Sequence, residues 1–371
     1  MRGRWSAEGP GQILVACTRR IGDVLLATPL VRSLRRAWPA AAIDMLVFRG
    51  TEAIVAANPD LRAVITVGES DSLGERVGTF RTLWNRYDLA CSTQTSDRTT
   101  FYAAAAGRMV VGMLDPAQAP SWKRGLLDAW IPFDDRNVHT VSAGLALCSI
   151  LGVPRVPEVV VAWNDADEEQ ALQALPFNPN NVPYAVLHVS PKFPYKKWTV
   201  DGWTQLAHSL SADGLRPVIV AGPESNEVEQ ADAIARRASG AINLAGKLRL
   251  AAVGALLADA RAYVGTDTAV THMAAAIGVP TVALFGPSNP VKWGPWPKGY
   301  PGPESPWEMV GSKRVGNVTL VQGHAACVPC LEEGCERRVG SLSDCLQHLP
   351  AGRVIGAVRA AIGGERAGPP T

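Results

Sequence analysis

The 371-residue sequence has almost no surplus of charge. Its 36 Lys and Arg stand against 34 Asp and Glu, leaving a formal +2, which gives no electrostatic footprint for nucleic acid. No apolar run approaches the roughly 18 residues of a membrane span. The opening MRGRWSAEGPGQ lacks a signal-peptide apolar core, since the run at 13–17 is short and is followed by Thr18-Arg19-Arg20. No G-x-G-x-x-G follows that run either. The turn there is Thr18-Arg19-Arg20-Ile21-Gly22-Asp23, which counts against a nicotinamide-dependent oxidoreductase. The cysteines number seven, an odd count in a large chain, which points to reduced thiols and a cytoplasmic location.

What is present reads as a soluble α/β protein. Hydrophobic content of 47% with 19% charge is a globular composition, and the length calls for two domains. Short apolar runs at 13–17, 43–48, 64–67, 89–92 and 109–112 read as buried parallel strands. The spacing over 24–38 predicts one amphipathic helix, with Arg32, Arg35 and Arg36 facing water. A helix over 138–151 is followed by a Pro-spaced linker at 154–183. The alternation then restarts, with strands at 184–188, 217–221 and 242–244 and helices at 200–212, 227–239 and 250–260. A last helix at 354–362 precedes a tail, 363–371, expected to have no fixed structure. Strands alternating with helices predict two doubly wound parallel-sheet domains facing one another across a cleft, 1–165 and 166–350, with the last helix and tail at 351–371.

The stretch 262–290 is a strand, a Gly-Thr-Asp turn, a helix of small residues, a second strand and a Pro-rich turn. A helix N-terminus behind such a turn attracts anions, through free N–H groups and the dipole. Thr268, Ala269 and Val270 are the candidate phosphate contacts, with Asp267 either hydrogen-bonding sugar hydroxyls or capping the helix. His272, one turn on, is a site residue or a packed one. In the first half, Asp23 is either a cap for the helix expected at Val24 or a carboxylate general base, with Gly22 allowing close backbone approach.

Residues 13–47, ILVACTRRIGDVLLATPLVRSLRRAWPAAAIDMLV, and 264–295, VGTDTAVTHMAAAIGVPTVALFGPSNPVKWGP, resemble the heptosyltransferase family, the ADP-heptose-using glycosyltransferases of lipopolysaccharide inner-core assembly. His188-Val189-Ser190 with Lys196-Lys197-Trp198, Ser96-Asp97-Arg98, the GRMVVG at 107–112 and His139 fall where that family has similar residues. The resemblance implies a GT-B fold of two Rossmann-like domains and an inverting, metal-independent enzyme without a cofactor. The N-terminal domain would bind the acceptor and the C-terminal domain the donor.

In that scheme Asp23 is the base. Lys196, preferred over Lys197 for its Lys-x-Trp spacing, meets the leaving diphosphate, with Ser190 as a hydroxyl donor to it. Glu224 or Glu227 binds the ribose diol. The family pattern has Gly where this chain has Ala269. Arg49 and Arg98, and more loosely Arg62 and Lys123, are candidates for the acceptor. The implied partners are a nucleotide-sugar donor and a saccharide acceptor, lipid-linked or free, with at most peripheral membrane contact. The acceptor is a lipopolysaccharide core sugar or a small, aminoglycoside-like one. A non-catalytic sugar-nucleotide-binding protein is the rival from another class. Cys327, Cys330, Cys335 and Cys345, flanked by His324 and His348, have the spacing C-x2-C-x4-C-x9-C. The expectation is no metal there, but free thiols packed under the last helix. Trp293, Trp296 and Trp307 either shelve the donor or pack.

Overall fold

The computed structural model describes residues 9–363. The chain divides into two compact units, Met1–Ala162 with Pro301–Ser305, and Trp163–Tyr300 with Pro306–Thr371. The expected tail, apart from Gly363, lies outside the described residues.

The first unit contains β1 (Gln12–Cys17), α1 (Ile21–Leu26), α2 (Thr28–Ala37), β2 (Ala42–Phe48), β3 (Ala63–Val67) and α3 (Leu73–Leu83). It continues with β4 (Tyr87–Ser92), α4 (Asp97–Ala106), β5 (Gly107–Leu114), α5 (Ser121–Gly125), β6 (Ala129–Pro132) and α6 (Thr140–Leu151). Its six strands are parallel in the order β3-β2-β1-β4-β5-β6. Central β1 is wholly apolar over Ile13–Ala16 because both its faces are covered, leaving those residues unexposed. Crossovers to the two sides of β1 put helices on opposite faces, so α2 packs on α6 and α3 on α4. The winding reverses between β1 and β4, and the loops leaving their carboxyl ends part there.

The helix expected over 24–38 is in fact two. Ala27 interrupts it, because Pro29 has no N–H for the ladder and the Thr28 hydroxyl donates to the Leu25 carbonyl at 2.7 Å. Of its three arginines only Arg36 faces water. Arg32 pairs with Asp60 at 2.7 Å, and Arg35 donates to the carbonyls of Asp60, Pro39 and Ala41. Both tie α2 to the loops flanking β2.

The second unit contains α7 (Asp165–Ala174), β7 (Tyr184–His188), α8 (Val200–Ala212), β8 (Arg216–Val220), α9 (Ser225–Arg237) and β9 (Ile242–Asn243). Next come α10 (Leu250–Ala258), β10 (Ala262–Thr266), α11 (Ala269–Ile277), β11 (Thr281–Phe285) and α12 (Pro290–Trp293). It closes with β12 (Lys313–Val315), β13 (Val318–Gln322), α13 (Asp344–Gln347) and α14 (Ala351–Gly363). The sheet order is β12-β13-β11-β10-β7-β8-β9, parallel except for β12 against β13. Here the winding reverses between β7 and β10.

The stretch 154–183 is not all linker. α7 lies within it, started by a capping box in which Asn164 accepts from the Asp167 N–H, and it packs on α10. The spaced prolines hid this helix because they flank it rather than interrupt it. α14 lays Val354 and Val358 against the core formed by Trp198, Trp203, Val264 and Leu284.

Candidate functional site

The reversal point of the second unit brings together the residues after β7 and β10. Trp198 is almost wholly buried, packs edge-on against Trp203 with centroids 5.0 Å apart, and donates its Nε1–H to the Leu349 carbonyl at 2.9 Å. That anchor sets where Lys196, two residues earlier at the end of the 3-10 turn Pro194–Lys196, leaves the backbone. Lys196 Nζ reaches Asp267 Oδ2 at 2.5 Å, the two side chains being 17% and 7% exposed. Burial pushes the Asp267 carboxyl up, but the charges of Lys196 and then His272, with hydrogen bonds from Lys196 and Ser288, hold it below the usual carboxylate range.

Asp267 therefore does not cap α11. The N-cap is Thr268, and its side chain makes no capping bond either. The N–H groups of Ala269 and Val270, in the first turn, have no intrahelical acceptor. Open N–H groups at the positive end of a helix, beside a mostly buried ammonium, form a site for a diphosphate. Two buried histidines flank it, each brought down to about 4 chiefly by desolvation. His188 places Nδ1 3.5 Å from the Thr268 hydroxyl, and His272 has a buried Nδ1 without a hydrogen-bond partner. Both are neutral at pH 7, and the charge by which His272 favours the Asp267 carboxylate is present only near pH 4 and below.

The other donor-side candidates lie around the neighbouring strand ends. Ser190 is buried, 3.4 Å from Gln230 Oε1, and the Gln230 amide donates to the Val189 carbonyl. Glu227 is half-buried and folds onto Gly222, where an added Cβ would meet its Oε2 at 2.0 Å; burial raises its pKa. Glu224 is exposed at the N-cap of α9 with no capping bond. Trp296 and Trp307 are buried, with Trp307 Nε1 donating to the Pro295 carbonyl, so those two pack.

The reversal point of the first unit holds Asp23. It is the third residue of α1, whose N-cap is Arg20, so capping a helix at Val24 is excluded. Asp23 is 8% exposed, with Arg19 Nε 3.8 Å from Oδ1. Beside it the Thr18 and Thr99 hydroxyls meet at 2.6 Å, and Thr99 also contacts Ser96 and Gln94. These bonds tie the loop after β1 to the loop after β4 and fix the turn that carries Gly22 and Asp23.

The basic candidates divide. Arg49 is exposed, its guanidinium 3.8 Å from Asp71. Arg98 donates to the Glu69 carbonyl at 2.8 Å and lies over the Phe48 ring. Lys123 is buried and paired with Asp97 at 2.7 Å. Arg62 pairs with the buried Asp44 near the amino end of β2, at the sheet edge opposite Asp23, and is not available to an acceptor there. His139 is the N-cap of α6, its Nδ1 accepting from the Val141 N–H at 3.0 Å.

The cysteines do not all pack under the last helix. Cys345 does, with burial first and its neighbours Cys330, Cys335 and Cys327 next raising its thiol to about 11, whereas Cys327 and Cys335 are exposed. The loop 327–345 has too few apolar residues to fold inward as a whole. Among the described residues no group of three or more His, Cys, Asp or Glu is placed to hold a metal, and no helix is long and apolar enough to cross a membrane.

Tyr263, Thr271 and Ser288 were absent from the sequence-level site. The only available sign for the first was a tyrosine inside an otherwise aliphatic strand.

The model of glycosyltransferase family 9 (heptosyltransferase) matches residues 77–302. Lipopolysaccharide heptosyltransferase 3 of Escherichia coli (strain K12) is 28% identical over 291 residues, covering 74% of this chain and 82% of its own. Two solved structures share the fold. The family 9 glycosyltransferase of Veillonella parvula DSM 2008 has a TM-score of 0.76 at 17% identity, over 95% of this chain and 97% of its own. The E. coli heptosyltransferase WaaC with ADP has a TM-score of 0.69 at 20% identity, over 94% and 99%.

Proposed function

The chain belongs to glycosyltransferase family 9, the heptosyltransferases, and from that premise we propose that it is an inverting, metal-independent enzyme moving a heptose-type sugar from ADP-heptose to a hydroxyl of a lipopolysaccharide inner-core saccharide. The observation that carries the donor half is the Lys196–Asp267 pair at the uncapped start of α11. The ADP in a structure of the same fold supports a nucleoside diphosphate as its occupant.

Each unit has its own part. In the second, the N–H groups of Ala269 and Val270, the Lys196 ammonium and the Ser190 hydroxyl take up the negative charge that develops on the departing diphosphate. Fixed cationic and N–H groups do there what a divalent ion does elsewhere. Asp267 orients Lys196 and meets sugar hydroxyls, and Glu227 is better placed than Glu224 for the ribose because its carboxylate lies inside the β8–α9 turn. In the first unit, Asp23 takes the proton of the acceptor hydroxyl as its oxygen bonds to the anomeric carbon. The carbon–oxygen bond to the diphosphate breaks with its electron pair leaving on ADP. Arg49 and Arg98 are the acceptor-side cations.

A screen of ADP-, UDP- and GDP-sugars against core saccharides and small aminoglycoside-like acceptors, read by mass spectrometry with and without EDTA, tests this. The expected result is a heptose mass increment from ADP-heptose on a core saccharide, undiminished by EDTA. Asp23→Asn should lower turnover by about 10²–10⁴ with ADP binding kept. Transfer from another base, EDTA-sensitive transfer, or an active Asp23→Asn enzyme would each refute the corresponding element.

A further inference from the structure

We propose that Tyr263 and Thr271 are positioning residues that hold the amino end of α11 open for the diphosphate, by drawing the Thr268 hydroxyl away from it; this rests on the donor reading above.

A threonine at an N-cap ordinarily turns its oxygen onto the N–H of the second or third helical residue. In α11 those are Val270 and Thr271. Thr268 occupies the N-cap with extended φ and ψ of −144° and 167°, the geometry that permits such a bond, yet makes none. Its oxygen instead lies 3.2 Å from Thr271 Oγ1.

The direction of that bond follows from proton counting. A hydroxyl has one proton and two lone pairs. Thr271 gives its proton to the Thr266 carbonyl in a short bond, so it can only accept from its two other neighbours. Those are Tyr263 Oη, at 2.9 Å, and Thr268 Oγ1. In the Thr268–Thr271 contact Thr268 is therefore the donor, and its other neighbour is His188 Nδ1 at 3.5 Å. Thr271, Tyr263 and Thr266 are all completely buried, so no water substitutes for a missing partner.

Tyr263 needs room to enter this chain. It stands two residues before Gly265 on the same face of β10, and an added Cβ at Gly265 would lie 2.0 Å from its Oη and 3.0 Å from Thr271 Oγ1. The glycine of the Val-Gly-Thr-Asp turn is thus required by the tyrosine hydroxyl, not by backbone conformation. Losing that hydroxyl removes the contact that fixes Thr271 from the sheet side, so Thr271 can shift into the vacated space and leave the Thr268 side chain free to turn onto the helix. An N-cap oxygen seated on the Val270 N–H then competes with a phosphate oxygen for that donor, the Thr271 N–H already donating to the Thr268 carbonyl at 3.1 Å.

The test is a double-mutant cycle on ADP affinity, read by calorimetry, with Tyr263→Phe, Thr268→Val and both together. Tyr263→Phe should weaken ADP about tenfold against the wild type, and less than twofold when introduced into Thr268→Val, which has no oxygen to turn. A merely structural role for Tyr263 would cost the same in both backgrounds; equal losses, or none in either, overturn the proposal. Pyrophosphate is run alongside. If the wild type takes pyrophosphate but not ADP, the adenine-donor reading fails and the cycle, run with pyrophosphate, still decides this one. If it takes neither, both fall.

Discussion

Replacing Lys196 by methionine removes a charge but little volume, and isolates a carboxylate that is 7% exposed. Taking one partner from a buried ion pair costs about 3–5 kcal/mol, mostly as the penalty on the charge left behind. Lys196 keeps some exposure, so about 3 kcal/mol at pH 8 is expected. In the wild type the Asp267 pKa lies below its unfolded value, so its contribution is present above that value and lost as pH falls through the folded one. Without Lys196, the largest influence on Asp267 is burial, which raises its pKa. The variant's penalty should then shrink as pH falls, because the folded state takes up the proton first. Urea unfolding of wild type, Lys196→Met, Asp267→Asn and the double variant at pH 8 and pH 5 reads this directly. The double variant should recover most of the loss, and the gap between wild type and Lys196→Met should be smaller at pH 5. A loss under about 1 kcal/mol, a double variant no better than the single, or a gap that widens at pH 5 would refute the reasoning.

Other expectations come from the same geometry. Arg62→Ala leaves the buried Asp44 with only the Tyr87 hydroxyl, and should cost about 1–3 kcal/mol in chemical denaturation while transfer activity per folded molecule is unchanged. Gly265→Ala should cost about 1–3 kcal/mol through overpacking, and Tyr263→Phe in the same chain should return part of it, measured by thermal unfolding. His188 and His272, both at about 4 when folded against 6.5 unfolded, bind protons more readily in the unfolded chain between those values. Stability should therefore fall as pH drops from 6.5 towards 4, by about 2 kcal/mol for each histidine by pH 5. His272→Asn should flatten that slope, and an unchanged slope would show that His272 is not the titrating group.

The strands, the two-unit organisation and the turn at 265–268 were legible because each is local. Continuous apolar runs of five or six residues mark strands covered on both faces, and glycine or proline marks where the chain must turn. The same local signals misled where a local feature had a tertiary purpose. Arg32 and Arg35 had the spacing of a solvated face, yet Asp60, brought in from the β2–β3 connection, takes both. Asp23 had the position of a cap, until the helix began two residues before it. Arg62 looked as basic as Arg49, but strand register put it beside Asp44 at the wrong edge of the sheet.

By itself, then, the sequence determined which residues could carry charge, where backbone could turn, and which family's motifs were present. Only the tertiary structure decided strand order, and with it the reversal points between β1 and β4 and between β7 and β10. Those crossovers bring Lys196 to Asp267 across 71 residues of chain, and no local pattern encodes such a pairing. The same holds for the hydroxyl chain under α11. Tyr263, Thr268 and Thr271 are close in sequence, but which atom each proton points to follows from burial and from the space at Gly265, and these exist only once the sheet has closed around them.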